Sequence, residues 1–444
     1  MIDRRTALGA AAGLAATSFS GPGLAAGASR VRKAASSMTA TSDDVAAFAE
    51  GVRLMKRRTD SLSWAAQNRI HAERAQHGNR QFLPWHRLQV CHMERIIGRL
   101  TGHPRFAMPY WDWQEERFLP DWVLDPRSPL YEPRRDPRVT RLDFNTERWA
   151  RNPGRERNGL ASITRDDFTT FFGTTRAAGR VEAYGHNIIH ELVGGPTGYM
   201  SSTRTAALDP IFWLHHCNID RVWATWRQRF GDAACPRDWL ATRTRGFTGA
   251  DGRETGEWVT SRITSTLALG YEYDAFYAPI VFAAPPGPRS VPAGATQYRL
   301  KAEAAPGESA LRIELPAEAV ALLRDPRAEV KVEGLGVVSY ERSENLTGRG
   351  IRTVIEAAGA EAIDLGISPT FVHFGDEHAM HAPYAVIFSL NDEVRQLAVE
   401  TSGAMVIQSS ALDLRSEQRR APAQAVSLEV TLTLTEYRRP SVSA

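Results

Sequence analysis

Cysteine is scarce: three residues in 444, an odd number with no C-x-x-C spacing, which excludes a closed disulfide framework and a thiolate metal cage. Also missing is any run of the roughly 18 apolar residues that a membrane-spanning helix needs. Net charge is nearly absent, because 54 Lys and Arg against 51 Asp and Glu leave +3. Much of that excess sits in turns such as Arg134, Arg135 and Arg138, so no basic stripe invites nucleic acid or an anionic membrane. Global disorder is excluded by a hydrophobic share of 43%, and the length has room for about two to three domains with a full core.

The first 28 residues read as an address. Arg4 and Arg5 precede an alanine-rich apolar run from Ala7 to Phe19, then Gly21, Pro22 and the small-residue stretch Ala26, Gly27 and Ala28. This pattern predicts a twin-arginine signal over 1–28 and export through the Tat machinery to the periplasm or the extracellular space.

Beyond it the periodicity is helical. Ser42, Asp43 and Asp44 form an N-cap signal before Val45, Phe48, Val52, Leu54 and Met55 at helical spacing. Further helices are predicted from about Leu83 to Leu100, near Gly185 to Leu192, and from Pro210 to Phe230, joined by long Pro- and Arg-rich connections. This predicts a mainly helical module over 29–282. Pro285, Pro286, Pro288 and Pro292 mark a linker over 283–295. Past it the period changes to two, as in Leu311, Ile313 and Leu315 or Leu428 to Leu434, predicting a β module over 296–444.

What is plentiful is histidine, twelve in all. Outside the β module seven of them form two groups: His71, His77 and His86, then His186, His190, His215 and His216. His186 and His190, four apart, lie about 40° apart around a helix and share a face, the geometry of a metal-binding pair. His216 is on the apolar helix after Pro210, and His215 beside it points about 100° away. Gly78 and Asn79 put His77 on a loop, and His86 opens the next helix. Two imidazole triads without interleaved thiolate or carboxylate suit copper or zinc. His92 and His103 read as structural.

The segments Phe82-Leu83-Pro84-Trp85-His86-Arg87, His186-Asn187-Ile188-Ile189-His190 with Gly194 and Gly195, Asp209-Pro210-Ile211-Phe212-Trp213-Leu214-His215-His216 and Asp220-Arg221 resemble the copper A and copper B signatures of tyrosinases and polyphenol (catechol) oxidases. Pro109-Tyr110-Trp111-Asp112-Trp113 matches too, and Leu269 to Asp274 with the β module is similar, more loosely, to the tail of plant-type enzymes. The resemblance implies a mainly α fold, a four-helix-bundle dicopper core with long loops, followed by a smaller C-terminal β-sandwich-like domain. It implies that His71, His77 and His86 hold copper A and that His186, His190 and His216 hold copper B. His215 becomes a neighbour of the ligands, and Asp220, one turn after His216, an acceptor for an imidazole N–H. Relatives tie the second ligand to a cysteine by a thioether. Here Ala75 occupies that position, so no such bridge forms, and Cys91, Cys217 and Cys235 read as free.

The implied activity is oxidation of o-diphenols by O2 to o-quinones, together with ortho-hydroxylation of monophenols. The protein supplies apolar walls from Phe82, Trp85, Phe212 and Trp213. Glu182 and Asn187 match the pair that in the family holds a basic water, and Glu191 matches a position that tunes substrate choice. Thr203 aligns with a bulky residue that shutters copper A in plant enzymes, which predicts a more open entrance. The C-terminal domain is expected to shield the site until it is cleaved. His373, His378 and His381 fit either a copper-loading site or ordinary loop histidines. Two rival readings are a haemocyanin-like O2-binding protein without turnover and a dinuclear zinc hydrolase, the latter disfavoured by the absence of bridging carboxylates.

Overall fold

The computed structural model describes residues 29–116, 118–140, 168–276, 296–305, 308–325, 328–340, 349–369, 384–401, 403–413 and 425–437. The segments 1–28 and 283–295 and His373, His378 and His381 lie outside the described residues. Among the described residues no helix is long and apolar enough to cross a membrane.

The helical module opens with strand β1 (Arg30–Arg32) and helix α1 (Asp43–Lys56), whose Val45, Phe48, Val52 and Met55 face the core. Helix α2 (Trp64–Arg74) is capped by Ser63, whose side chain accepts from the Ala66 N–H at 3.1 Å. Helix α3 (Phe82–Leu100) begins earlier than its periodicity predicts, with Pro84 in the first turn, where the missing N–H has no partner to lose. His86 therefore stands in the second turn and does not open the helix. Short helices α4 (Asp121–Leu124) and α5 (Phe168–Phe172) follow. A π-helical turn (Val181–His186) then runs directly into α6 (Asn187–Gly194). Helix α7 (Ile211–Phe230) starts after Pro210 and stops at Gly231, whose φ of +67° suits glycine. The core around α3 and α7 is continuous, and both helices are buried over most of their circumference up to Ile97 and Trp226.

The module closes on itself. After α8 (Arg237–Leu240), the two-residue strands β2 (Arg243–Thr244) and β3 (Trp258–Val259), and α9 (Thr260–Ile263), strand β4 (Tyr271–Tyr273) pairs in parallel with β1. Arg32 of β1 is fully buried and donates to both oxygens of Glu94 at 2.8 Å, to Asp220 at 2.9 Å and to Tyr273 Oη at 2.8 Å. Arg87 donates to the other Asp220 oxygen. Burial alone would raise both carboxyls, but guanidiniums overcome it, those of Arg32 and Arg30 holding Glu94 and those of Arg87 and Arg32 holding Asp220 below the usual carboxylate range.

The β module is a pair of four-stranded sheets. One runs β10 (Tyr384–Ser389), β7 (Glu329–Tyr340), β12 (Ala425–Tyr437), β5 (Thr296–Glu303). The other runs β6 (Ala310–Glu314), β11 (Ala404–Asp413), β8 (Arg349–Glu356), β9 (Ile363–Pro369). Every neighbouring pair is antiparallel, and α10 (Ala317–Arg324) and α11 (Asn391–Glu400) complete the module. The alternation in β12 places Leu428, Val430, Leu432 and Leu434 in the core, as its period of two requires. The same core takes in Ala178, Ala183 and Tyr184 from the helical module. Ala178 donates to the Ala385 carbonyl at 2.9 Å and accepts from the Ile387 N–H at 3.3 Å, so the β module is bonded to the residues that lead into the π turn.

Candidate metal centre

Five helical segments and one loop bring seven histidines together. His71 comes from α2, His77 from the loop after it and His86 from α3, and one ring nitrogen of each lies within 4.8 Å of the others. His186 ends the π turn, His190 is on α6, and His215 and His216 are on α7, with the same 4.8 Å limit among the four. The groups face each other: His86 and His216 are 4.4 Å apart between ring centroids, and His77 and His186 are 5.7 Å apart. All seven are buried, none more than 8% exposed.

Hydrogen bonds aim the rings. His71 Nδ1 lies 2.8 Å from the Thr203 carbonyl, His86 Nδ1 2.8 Å from the Phe82 carbonyl, His190 Nδ1 2.7 Å from the Met200 carbonyl and His186 Nδ1 2.8 Å from Asn187 Oδ1. A carbonyl oxygen only accepts, so each Nδ1 donates and each Nε2 keeps its lone pair for a cation. His186 Nε2 and His190 Nε2 then stand 3.2 and 3.4 Å from His216 Nε2. Of the three nitrogens only His216 Nε2 is left to carry a hydrogen, so they converge as a donor set that a cation can occupy. In the other group His71 Nε2 is buried with no hydrogen-bond partner. Burial lowers the imidazole pKa of His71 to about 4 and of His190 to about 3, and moves His186, His215 and His216 well below the ordinary value. At neutral pH the rings are uncharged, the form that binds metal.

His215, expected beside the ligands, lies within the second group itself. It stacks on His186 at 5.2 Å and 20°, and among the described residues neither of its ring nitrogens has a hydrogen-bond partner. Phe82, Trp85 and Phe212 touch the imidazoles, with Phe82 4.6 Å from both His86 and His186 and Phe212 4.2 Å from His216. Trp213 packs on Trp64 instead. Ala75 ends α2, and Cys91, Cys217 and Cys235 are free and buried.

Several expectations need correction. Asp220 receives no imidazole N–H: its two oxygens serve Arg32, Arg87, Tyr271 and Tyr273. A carboxylate so deep in the core needs cations, and it finds guanidiniums. Thr203 is wholly buried rather than lining an open entrance, and it reaches the site through its backbone carbonyl. Glu191, at the position expected to tune substrate choice, is 5% exposed and so lies in the interior. Glu182 is 2% exposed, and Oε1 accepts the Gly78 N–H at 2.6 Å, beside His77. Sequence reasoning missed Arg87; an arginine in the middle of the apolar run Phe82 to Val90 was the signal that Asp220 had a buried partner.

The tyrosinase common central domain matches residues 53–155 and 117–229. Over that span the chain is similar to tyrosinases. (+)-Larreatricin hydroxylase of Larrea tridentata is 30% identical over 234 residues, 46% of this chain and 39% of that protein. A tyrosinase of Hahella sp. is 30% identical over 246 residues, 50% of this chain and 51% of that protein. The chain thus spans about two-fifths to one-half of the curated relatives it matches. The fold extends further: a latent apple tyrosinase superposes with a TM-score of 0.64 at 17% identity, over 92% of this chain and 97% of that one. A functional unit of octopus hemocyanin gives 0.58 at 16%, over 91% and 99%. Two copper ions are the cofactor of the tyrosinase family, and the two histidine groups fit them in number, burial and ligand type.

Proposed function

We propose that this chain uses a dinuclear copper centre to oxidise phenols with O2. Two catechols and one O2 give two o-quinones and two waters; one monophenol and one O2 give one o-quinone and one water. What carries this reading is the pair of buried, facing histidine groups, in which the Nδ1 atoms of His71, His86, His186 and His190 are committed to oxygens. His71, His77 and His86 hold one copper and His186, His190 and His216 the other. When bound, the copper pair supplies the redox chemistry that lets O2 accept electrons from a phenol ring.

The chain's own residues do the rest. Phe82, Trp85 and Phe212 exclude water from the imidazoles. Glu182, fixed by the Gly78 N–H beside His77, and Asn187, fixed by His186, lie at the positions from which a bound water removes the phenolic proton, the step hydroxylation needs beyond diphenol oxidation. Glu191 adds a negative charge next to His190 and biases the site toward phenols bearing an amine. Thr203 shapes the copper A side through the backbone that holds His71. Residues 1–28 direct the protein to export. Residues 29–282, 283–295 and 296–444 act as catalytic module, linker and shielding domain. The latent state named for the apple neighbour fits a β module seated on the segment before Glu182 and His186.

Copper content measured with O2 uptake on a matched monophenol and diphenol tests the reading: two coppers per chain and sustained uptake on both are expected. Stoichiometric O2 binding without turnover would instead favour the oxygen carrier, a reading kept in view by the hemocyanin-like fold. Cleavage within 283–295 is expected to raise activity; a cleaved form no faster than the intact chain would remove the shielding role.

A further inference from the structure

We propose that Met200–Thr203 is a single clip that orients one imidazole in each histidine group, and that Asn68 is the positioning residue that seats it; this rests on the metal assignment above. The Met200 carbonyl accepts from His190 at 2.7 Å, and three residues later the Thr203 carbonyl accepts from His71 at 2.8 Å. The backbone between them is tightly stitched. The Ala206 N–H donates to the Ser202 carbonyl at 2.8 Å, Thr205 Oγ1 to the Tyr199 carbonyl at 2.9 Å, and Ser201 Oγ to the Gly195 carbonyl. Displacing one of the two acceptor carbonyls therefore displaces the other.

The seat is on α2. Asn68, one helical turn before His71, donates from Nδ2 to the Arg204 carbonyl at 2.8 Å and is 8% exposed. That bond fixes the peptide immediately after the Thr203 carbonyl, and with it the direction of the hydrogen bond to His71. A second, weaker seat is the exposed Arg134, whose guanidinium carbon stands 4.5 Å over the Tyr199 ring. Contacts that orient metal ligands typically change affinity by about 10- to 100-fold. Since one turn serves both groups, loosening it weakens both.

Cobalt(II) binding to the metal-free full-length chain, followed by visible d–d absorption, reads affinity without turnover. His86→Ala and His216→Ala backgrounds isolate the second and first groups. Asn68→Leu is expected to weaken cobalt about tenfold or more in both backgrounds, and Asn68→Gln, which restores a donor, to recover most of it. Arg134→Leu, which removes only a surface contact and keeps the test open if Asn68→Leu does not fold, is expected to weaken both by about two- to fivefold. Weakening confined to the first group overturns the shared clip, and unchanged affinities in both overturn Asn68 as its seat. Wild-type protein that takes up no cobalt overturns the metal assignment itself, which separates that failure from the other two.

Discussion

His86 and His216 stack with ring centroids 4.4 Å apart and planes 15° from parallel, so the two histidine groups meet face to face at this pair. The second group offers four imidazoles, of which His215 leans on His186. Replacing His216 with Ala is expected to reduce copper from two ions per chain to one and to abolish phenol oxidation. His215→Phe keeps the stacked ring and is expected to keep both ions. Metal analysis of the two variants decides which neighbour is the ligand.

Glu182→Gln retains shape and burial but removes the charge that makes a nearby water basic. Hydroxylation of a monophenol is expected to fall about 100-fold relative to oxidation of the matching diphenol. Equal losses on both substrates, in steady-state rates, would leave Glu182 with no special part in proton removal.

Glu191 lies in the protein interior, where a charge is poorly screened. The ratio of kcat/KM for a phenolic amine over a phenolic acid is expected to fall about tenfold in Glu191→Gln, equivalent to ~1.4 kcal/mol. An unchanged ratio would show that its field does not reach the substrate.

His92 is buried between Phe247 and Trp258, and neither ring nitrogen has a hydrogen-bond partner among the described residues. Burial first, then Arg95, lowers its pKa to about 3. The unfolded chain, with ordinary imidazoles near 6.5, binds protons that the folded metal-free chain refuses. Stability is therefore full above about pH 6.5 and falls as the pH drops from there toward 3. Glu94 and Asp220 push the same way at lower pH, because their folded carboxyls also protonate late. His92→Phe is expected to raise stability by about 1 kcal/mol at pH 5 and to flatten the acid slope of Tm, measured by thermal scans without metal.

The histidine spacing exposed the centre because helical periodicity converts four residues of sequence into one shared face, and α7 carries its ligand in an apolar run that only a core helix tolerates. The β sandwich was legible for the same reason, through the alternation of Leu428 to Leu434. What stayed hidden acts through the backbone. The carbonyls of Met200, Thr203 and Phe82 aim three imidazoles, and no side-chain identity announces a carbonyl. The π turn at Val181–His186 was equally silent, since one residue added to a helical turn leaves the apolar pattern nearly unchanged. Asp220 was read as an acceptor for an imidazole N–H, and its actual partners stayed hidden because the arginines at 32 and 87 are separated from it by 188 and 133 residues.

Strand β1 bonds to the last strand of the helical module, and Tyr273, which meets the Arg32 guanidinium, comes 241 residues later. On the ribosome that guanidinium has no complete set of partners until β4 has emerged, a wait of roughly 10 to 50 s at about 5–20 residues per second. The helical module can therefore reach its final state only near the end of its own synthesis, with its first and last strands closing the fold together. A chain with that closure is a natural candidate for circular permutation, in which β1 and β4 are joined and new ends are opened at a surface turn.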